Sequence, residues 1–201
     1  MAFLRFSITT DPHYPQALYR LTKTNQTLLD LGCCFGQEIR TLVVAGAPSS
    51  LEQEFIDLGY ELFNNKGKPH FTTGDFFDDA TLPPFSETKL DMIHSTSFFH
   101  LFSQPQQIAA ISKAVRLLKP KAGSILFWRQ MTTDTVEAIK HPATRLGEMY
   151  RHTKVSLRNL LEQVVAEMGV GTDCEVADAG KVKVGESVDA FWLAAFCVKL
   201  L

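Results

Sequence analysis

Long apolar stretches are missing from this chain: its most apolar run, Phe191 to Val198, is about eight residues, far short of the ~20 that a membrane-spanning helix needs. No membrane span is expected. A surplus of one charge is missing too, since 20 Lys and Arg stand against 22 Asp and Glu, a formal net charge of −2 with no block of like sign. Nucleic acid, which is held through phosphates by clustered Lys and Arg, is therefore not an expected partner. Cysteine is scarce: of 4 residues, Cys33 and Cys34 are adjacent, while Cys174 and Cys197 lie in apolar, strand-like runs. No CxxC or Cys/His ligand spacing occurs, and Met1 to Thr10 lacks the sustained apolar segment of a cleaved secretory signal. These absences point to a reduced, cytoplasmic protein without a zinc site.

What is present is 201 residues, 45% hydrophobic and 21% charged, the composition of one globular domain able to bury roughly 70% of its unfolded surface. Short apolar runs alternate with longer amphipathic ones, the pattern of an α/β layered domain with a mostly parallel sheet covered by helices on both faces. The first strand is expected at Thr27 to Leu31, followed by a glycine-bearing turn and a helix from about Gln37 to Val44 that stops at Gly46-Ala47-Pro48. Ser50 and Gln53 form a capping box for a second helix through Phe63, so helix follows helix with no strand between. A strand at Pro69 to Thr73, a turn-rich acidic loop from Gly74 to Leu90 and a strand at Asp91 to Ser95 come next. A helix from about Pro105 to Leu118, a strand from Ser124 to Trp128, a helix from about Ser156 to Met168 and two strands near Glu175 and Phe191 complete the reading. The division expected is residues 1–26 as a short N-terminal lid or helical segment and 27–201 as a single domain.

The turn after the first strand is the most informative stretch. It reads Asp30-x-Gly32-x-x-x-Gly36, whereas a dinucleotide-binding turn reads GxGxxG. Asp30 would set a carboxylate against a pyrophosphate, so a nicotinamide-dependent oxidoreductase is discounted; the α-ammonium of an amino-acid moiety suits the position better. S-adenosylmethionine carries one. Gly74-Asp75-Phe76 follows the third expected strand, offering an acceptor and an aromatic face for an adenine, and Ser95 to His100 gathers small polar and aromatic groups at the carboxyl edge of the sheet, where ligands bind in open α/β folds.

Several words in the chain carry a resemblance: Leu29-Asp30-Leu31-Gly32-Cys33-Cys34-Phe35-Gly36-Gln37, Gly46-Ala47-Pro48, Glu54 to Phe63, Phe98-Phe99-His100-Leu101-Phe102, and Leu118 to Ser124. From about Pro12 to the C-terminus the sequence resembles the class I methyltransferases, and more narrowly those of fungal meroterpenoid and related polyketide biosynthesis. The resemblance implies a doubly wound, Rossmann-like methyltransferase sheet, S-adenosyl-L-methionine as methyl donor, and a small hydrophobic carboxylic or phenolic acceptor. It also implies that Asp30, Gly32 and Gly36 hold the amino-acid end of the cofactor, that Asp75 and Phe76 flank the adenine, and that Ser95 lines the site by its backbone. The sequence departs from the family in two places. Only about 26 residues precede the first strand, where the family usually has further helical residues that close the site. A second strand ending in a ribose-binding acid would fall between Ser50 and Leu51, yet it is missing, with Glu52 and Glu54 the nearest acids. Its loss would cost on the order of 1.5–3 kcal/mol of cofactor binding.

Methyl transfer from a sulfonium is an in-line displacement that needs alignment and water exclusion rather than a protein nucleophile. A carboxylate acceptor is already ionised at neutral pH and calls for a positive or hydrogen-bonding clamp, for which Arg129, Arg151 and His152 are the candidates. A phenol calls for a base, and His100 is the choice, whereas His94, inside a strand, reads as structural. Of the phenylalanines near the site, at least half are expected to be core. Cys33 and Cys34 are given no catalytic role. The competing reading is a degenerate member of the same fold that binds a ligand or partner subunit without transferring methyl, with a second copy of the chain as a candidate partner through the uncovered sheet region.

Overall fold

The computed structural model describes residues 8–24, 26–33, 36–45, 75–80, 89–140, 147–183 and 190–201. Among these, five strands form one sheet: β1 (Leu28–Leu31), β2 (Met92–Thr96), β3 (Ile125–Thr132), β6 (Thr172–Lys183) and β7 (Ala190–Leu200). A small separate hairpin pairs β4 (Glu137–Lys140) with β5 (Glu148–Arg151). The helices are α1 (Tyr14–Lys23), α2 (Gln37–Val44), α3 (Gln104–Leu117) and α4 (Lys154–Glu167).

The sheet order is β1-β2-β3-β7-β6. β1, β2 and β3 pair in parallel, β7 runs antiparallel to β3, and β6 runs antiparallel to β7, so among the described strands of this sheet β7 alone opposes the common direction. Successive side chains of a strand face opposite ways, and in β3 this sorts the apolar run between two cores. Leu126 and Trp128 join Ile93, Phe196 and the inner faces of α3 and α4. Ile125 and Phe127 join Met92, Cys197 and residues of α1 and α2. Helices cover both faces, which is the doubly wound layering the sequence pattern predicts.

Local chemistry explains the helix ends. α1 starts with Pro15 in its first turn, where a missing N–H costs nothing, and buries Ala17 and Leu21 from one face. α3 opens on a capping box in which the Ser103 N–H donates to Gln106 Oε1 at 3.1 Å. In α4 the Ser156 N–H donates to Thr153 Oγ1 at 3.0 Å. At the amino end of the sheet, Asp91 staples three segments: its carboxylate receives Lys119 at 2.6 Å, Lys121 at 2.7 Å and the Thr27 N–H at 3.0 Å.

The structure corrects the sequence reading in two respects. β3 continues past Trp128 through Arg129 and Gln130 to Thr132, because β7 supplies antiparallel partners out to Trp192; Arg129 therefore lies inside the strand with 2% of its surface exposed. The β4–β5 hairpin is an added element, invisible to periodicity because each strand has 4 residues. The helix stop at Gly46-Ala47-Pro48, the second helix through Phe63, the strand at Pro69 to Thr73 and the missing second strand all lie outside the described residues.

Candidate active site

The site is built on the turn that leaves β1. Gly32 and Gly36 have φ of 67° and 69°, in the left-handed region open chiefly to glycine, and the Gly36 N–H closes the turn on the Cys33 carbonyl at 2.8 Å. Gly32 meets a second demand: a Cβ there would stand 2.5 Å from Cδ2 of Phe98, so the loop after β2 lies directly against the turn. Ser95 is fully buried and donates from Oγ to the Leu31 carbonyl at 3.2 Å, which ties the end of β1 to β2. Ser97, next to that loop, holds a φ of 56° and donates its N–H to the Arg129 carbonyl at 2.9 Å. Strained non-glycine backbone of this kind clusters at functional sites.

On the α1/α2 face of this edge lies a buried group of charged side chains. Asp30 pairs through Oδ1 with Nδ1 of His94 at 2.7 Å, its register partner on β2. Glu38, in the first turn of α2, accepts the N–H of Ile8 through Oε2. Arg129 donates from Nη1 to Thr10, and Asp11 accepts the backbone and ring N–H groups of His13 through Oδ1. The N-terminal turn at Ile8–Thr10 is thus bound to both α2 and β3.

Three carboxylate oxygens in this group, Asp11 Oδ2, Asp30 Oδ2 and Glu38 Oε1, are buried and have no hydrogen-bond partner among the described residues. Burial, with the charge of Asp30, raises the Glu38 pKa from 4.5 to about 7, against the opposing pull of the Ile8 N–H, His94 and Arg129. Burial alone would lower the His94 pKa, but Asp30, Glu38 and Asp11 outweigh it and the net shift is upward. Burial likewise lowers Arg129, partly offset by Asp11 and Glu38. These mutual influences are those of one electrostatic unit.

The other nominated residues fall in two places. Asp75 is exposed and closes a turn by accepting the Phe77 N–H at 2.9 Å. Phe76 is buried, edge-on to Phe98 at 5.8 Å between centroids, with the Lys113 ammonium 5.3 Å from its ring centre. Phe98 thereby links Phe76 to Gly32. His100 is buried in the short turn Phe99–Leu101. The hairpin adjoins that turn, since the Tyr150 N–H donates to the Phe102 carbonyl at 3.0 Å and Gln107 Nε2 bridges the Phe102 and Tyr150 carbonyls. Arg151 bonds Glu137 across the hairpin at 3.1 Å. His152 is buried, hydrogen-bonded through Nδ1 to Ser156 Oγ at 2.9 Å, and burial lowers its pKa to about 4, so it is neutral at pH 7. The three proposed clamp residues therefore divide: Arg129 belongs to the acidic group, Arg151 and His152 to the hairpin.

Sequence reasoning missed Asp11 and Glu38 and took His94 for a structural residue. No local signal marks the first two, because an acid in a helix's first turn is ordinary dipole chemistry and Asp11 is remote in sequence from His94 and Arg129, whose charges it influences.

Arranged this way, a glycine turn between a first strand and a helix, with an acid at the strand's end, sits at the carboxyl edge of an open α/β sheet, where such folds bind their ligands. Residues 29–127 match a family model described as a methyltransferase domain. The chain is 40% identical over 185 residues to O-methyltransferase phiE of a fungal species, covering 88% of this chain and 61% of that protein. It is 36% identical over 178 residues to methyltransferase adrK of Penicillium roqueforti, covering 84% and 63%. The chain thus spans about three fifths of the length of the curated relatives it matches. Among solved structures, the 1,6-didemethyltoxoflavin-N1-methyltransferase of Burkholderia thailandensis aligns with a TM-score of 0.59 at 12% identity, over 96% of this chain and 80% of that one. The magnesium protoporphyrin IX methyltransferase of Synechocystis aligns with a TM-score of 0.56 at 15% identity, over 93% and 77%. These two likenesses show the fold. The fold is thus that of the class I methyltransferases, and fungal O-methyltransferases are among the chain's relatives.

Proposed function

We propose that this chain binds S-adenosylmethionine at the β1 turn and transfers its methyl group to a carboxyl or hydroxyl oxygen of a small hydrophobic intermediate, of terpenoid or polyketide type. The observation that carries this reading is the set of bare, buried carboxylate oxygens on Asp30, Asp11 and Glu38. Buried acceptors without donors are costly, and an ammonium, with three N–H donors and a positive charge, answers both deficits. Arg129 in the same group is read as the partner of the α-carboxylate of that amino-acid moiety, so both ends of a zwitterion find an opposite charge. Gly32 and Gly36 let the backbone approach it, Ser95 holds the strand end beneath, and Asp75 and Phe76 are assigned to the adenine side.

When bound, the sulfonium supplies an activated methyl group open to direct displacement. The chain's own work is alignment and exclusion of water. His100 and His152 form the acceptor side, where the hairpin closes over the loop after β2. A neutral His152 offers the acceptor a hydrogen bond rather than a charge, and His100 is assigned to taking the proton of a hydroxyl acceptor. The identity of the fungal relatives as O-methyltransferases supports oxygen as the target.

Calorimetric titration with S-adenosylmethionine and S-adenosylhomocysteine tests the reading. Micromolar binding by the wild type, lost in Asp30→Ala, is expected; a folded protein that binds neither ligand would overturn it and leave a degenerate, non-catalytic domain.

A further inference from the structure

The residue that sequence reasoning set aside, His94, occupies the position best suited to control Asp30. The two stand side by side in the parallel register of β1 and β2, with Nδ1 of His94 2.7 Å from Asp30 Oδ1 and both side chains essentially without solvent contact. The far ring nitrogen, Nε2, lies 3.1 Å from Thr96 Oγ1, two residues further along β2 on the same face. With both nitrogens engaged and the ring of Phe127 packed against it at 4.9 Å, the imidazole is fixed in one orientation. It therefore holds one Asp30 oxygen and leaves Oδ2 bare.

We propose that His94 is a positioning residue for cofactor binding: it fastens one oxygen of Asp30 so that the other is presented to the α-ammonium of the ligand, and Thr96 keeps the imidazole in the orientation this requires. The inference rests on the reading of Asp30 as the ammonium's partner. A carboxylate that served packing alone would not keep a bare oxygen in the interior, where leaving an acceptor unmet is expensive. Around the pair stand Glu38 from α2, Asp11 from the N-terminal turn and Arg129 from β3, so the imidazole is the link between the strand pair and the whole charged group.

The test compares two ligands, S-adenosylhomocysteine and its deaminated analogue, which lacks the ammonium and is otherwise the same. Affinities are measured calorimetrically for the wild type, Asp30→Ala, His94→Leu, His94→Asn and Thr96→Val, with thermal unfolding of each variant alongside. His94→Leu frees Asp30 to rotate and is expected to weaken S-adenosylhomocysteine about tenfold or more, the scale of a hydrogen bond to a charged group, while the analogue changes less than about twofold. His94→Asn keeps a side-chain N–H toward Asp30 and is expected to stay within about threefold of wild type for both ligands. Thr96→Val is expected to weaken S-adenosylhomocysteine about threefold and spare the analogue.

Equal weakening of both ligands by His94→Leu, or no weakening of either, would overturn the proposal, because a purely structural histidine has no means of sensing the ammonium. If His94→Leu fails to unfold cooperatively, the ligand selectivity of Thr96→Val decides in the same way. Failure of the underlying reading looks different: there, Asp30→Ala itself would weaken both ligands alike.

Discussion

Glu38 offers the sharpest quantitative test of the buried charged group. Its side chain sits in the first turn of α2 with 2% of the residue exposed, accepts one N–H from Ile8, and keeps its other oxygen bare. Burial is the main reason its pKa stands at about 7 in the fold against an ordinary 4.5. An acid whose folded pKa is raised holds its proton longer in the native state than in the unfolded chain, so stability falls as pH rises through that interval. Below about pH 4.5 both states are protonated and no penalty exists; above about pH 7 both are ionised and the penalty is complete, about 3 kcal/mol. Glu38→Gln keeps an acceptor for the Ile8 N–H and has no charge to bury. Urea unfolding of both proteins from about pH 4.5 to pH 8 should therefore show the variant gaining about 3 kcal/mol on the wild type as pH rises. Subtracting the two curves removes the titrations of groups that Glu38 does not touch, while the loss of its hold on His94 stays in the difference. A difference that stays flat with pH would refute the reasoning, since it would mean that Glu38 is solvated or fully paired in the native state.

Two further outcomes follow from the same geometry. Gly32→Ala must place a Cβ 2.5 Å from Phe98 at a φ of 67°, and is expected to cost about 2 kcal/mol in denaturant unfolding and to weaken cofactor binding with it. Asp91→Asn removes the charge that receives Lys119 and Lys121; although burial pushes the Asp91 carboxyl upward, those ammonium groups and Thr27 hold it well below the usual range. Because a depressed acid contributes above its unfolded pKa and loses that contribution as pH falls, the variant should be about 2 kcal/mol less stable than wild type at pH 7, and the gap should close below about pH 4.

Much of the framework was legible from one-dimensional pattern. α2 runs over Gln37–Val44, the span read from Gly36 and the apolar spacing after it, because a left-handed glycine and an amphipathic repeat act over a few neighbouring residues. The run Ile125 to Trp128 is a strand buried on both faces for the same local reason: four consecutive apolar residues can be dry only where helices cover both sides. The turn Asp30-x-Gly32-x-x-x-Gly36 was legible as a turn, since glycine is needed where φ is positive, as it is at Gly32 and Gly36.

What escaped the sequence is contact between segments far apart along it. Arg129 stands just past the strand expected at Ser124 to Trp128 until β7, more than sixty positions later, extends β3 and buries it. His94 reads as a packing histidine until the register of β1 and β2 sets it 2.7 Å from Asp30. Asp11 and Glu38 drew no notice in the sequence, and are buried only because the N-terminal turn is bound to α2. Backbone conformation and amphipathic pattern are local and so were determined by the sequence alone; the electrostatics of the site depends on desolvation and on charges brought within a few ångströms by strand register, which only the tertiary structure decided.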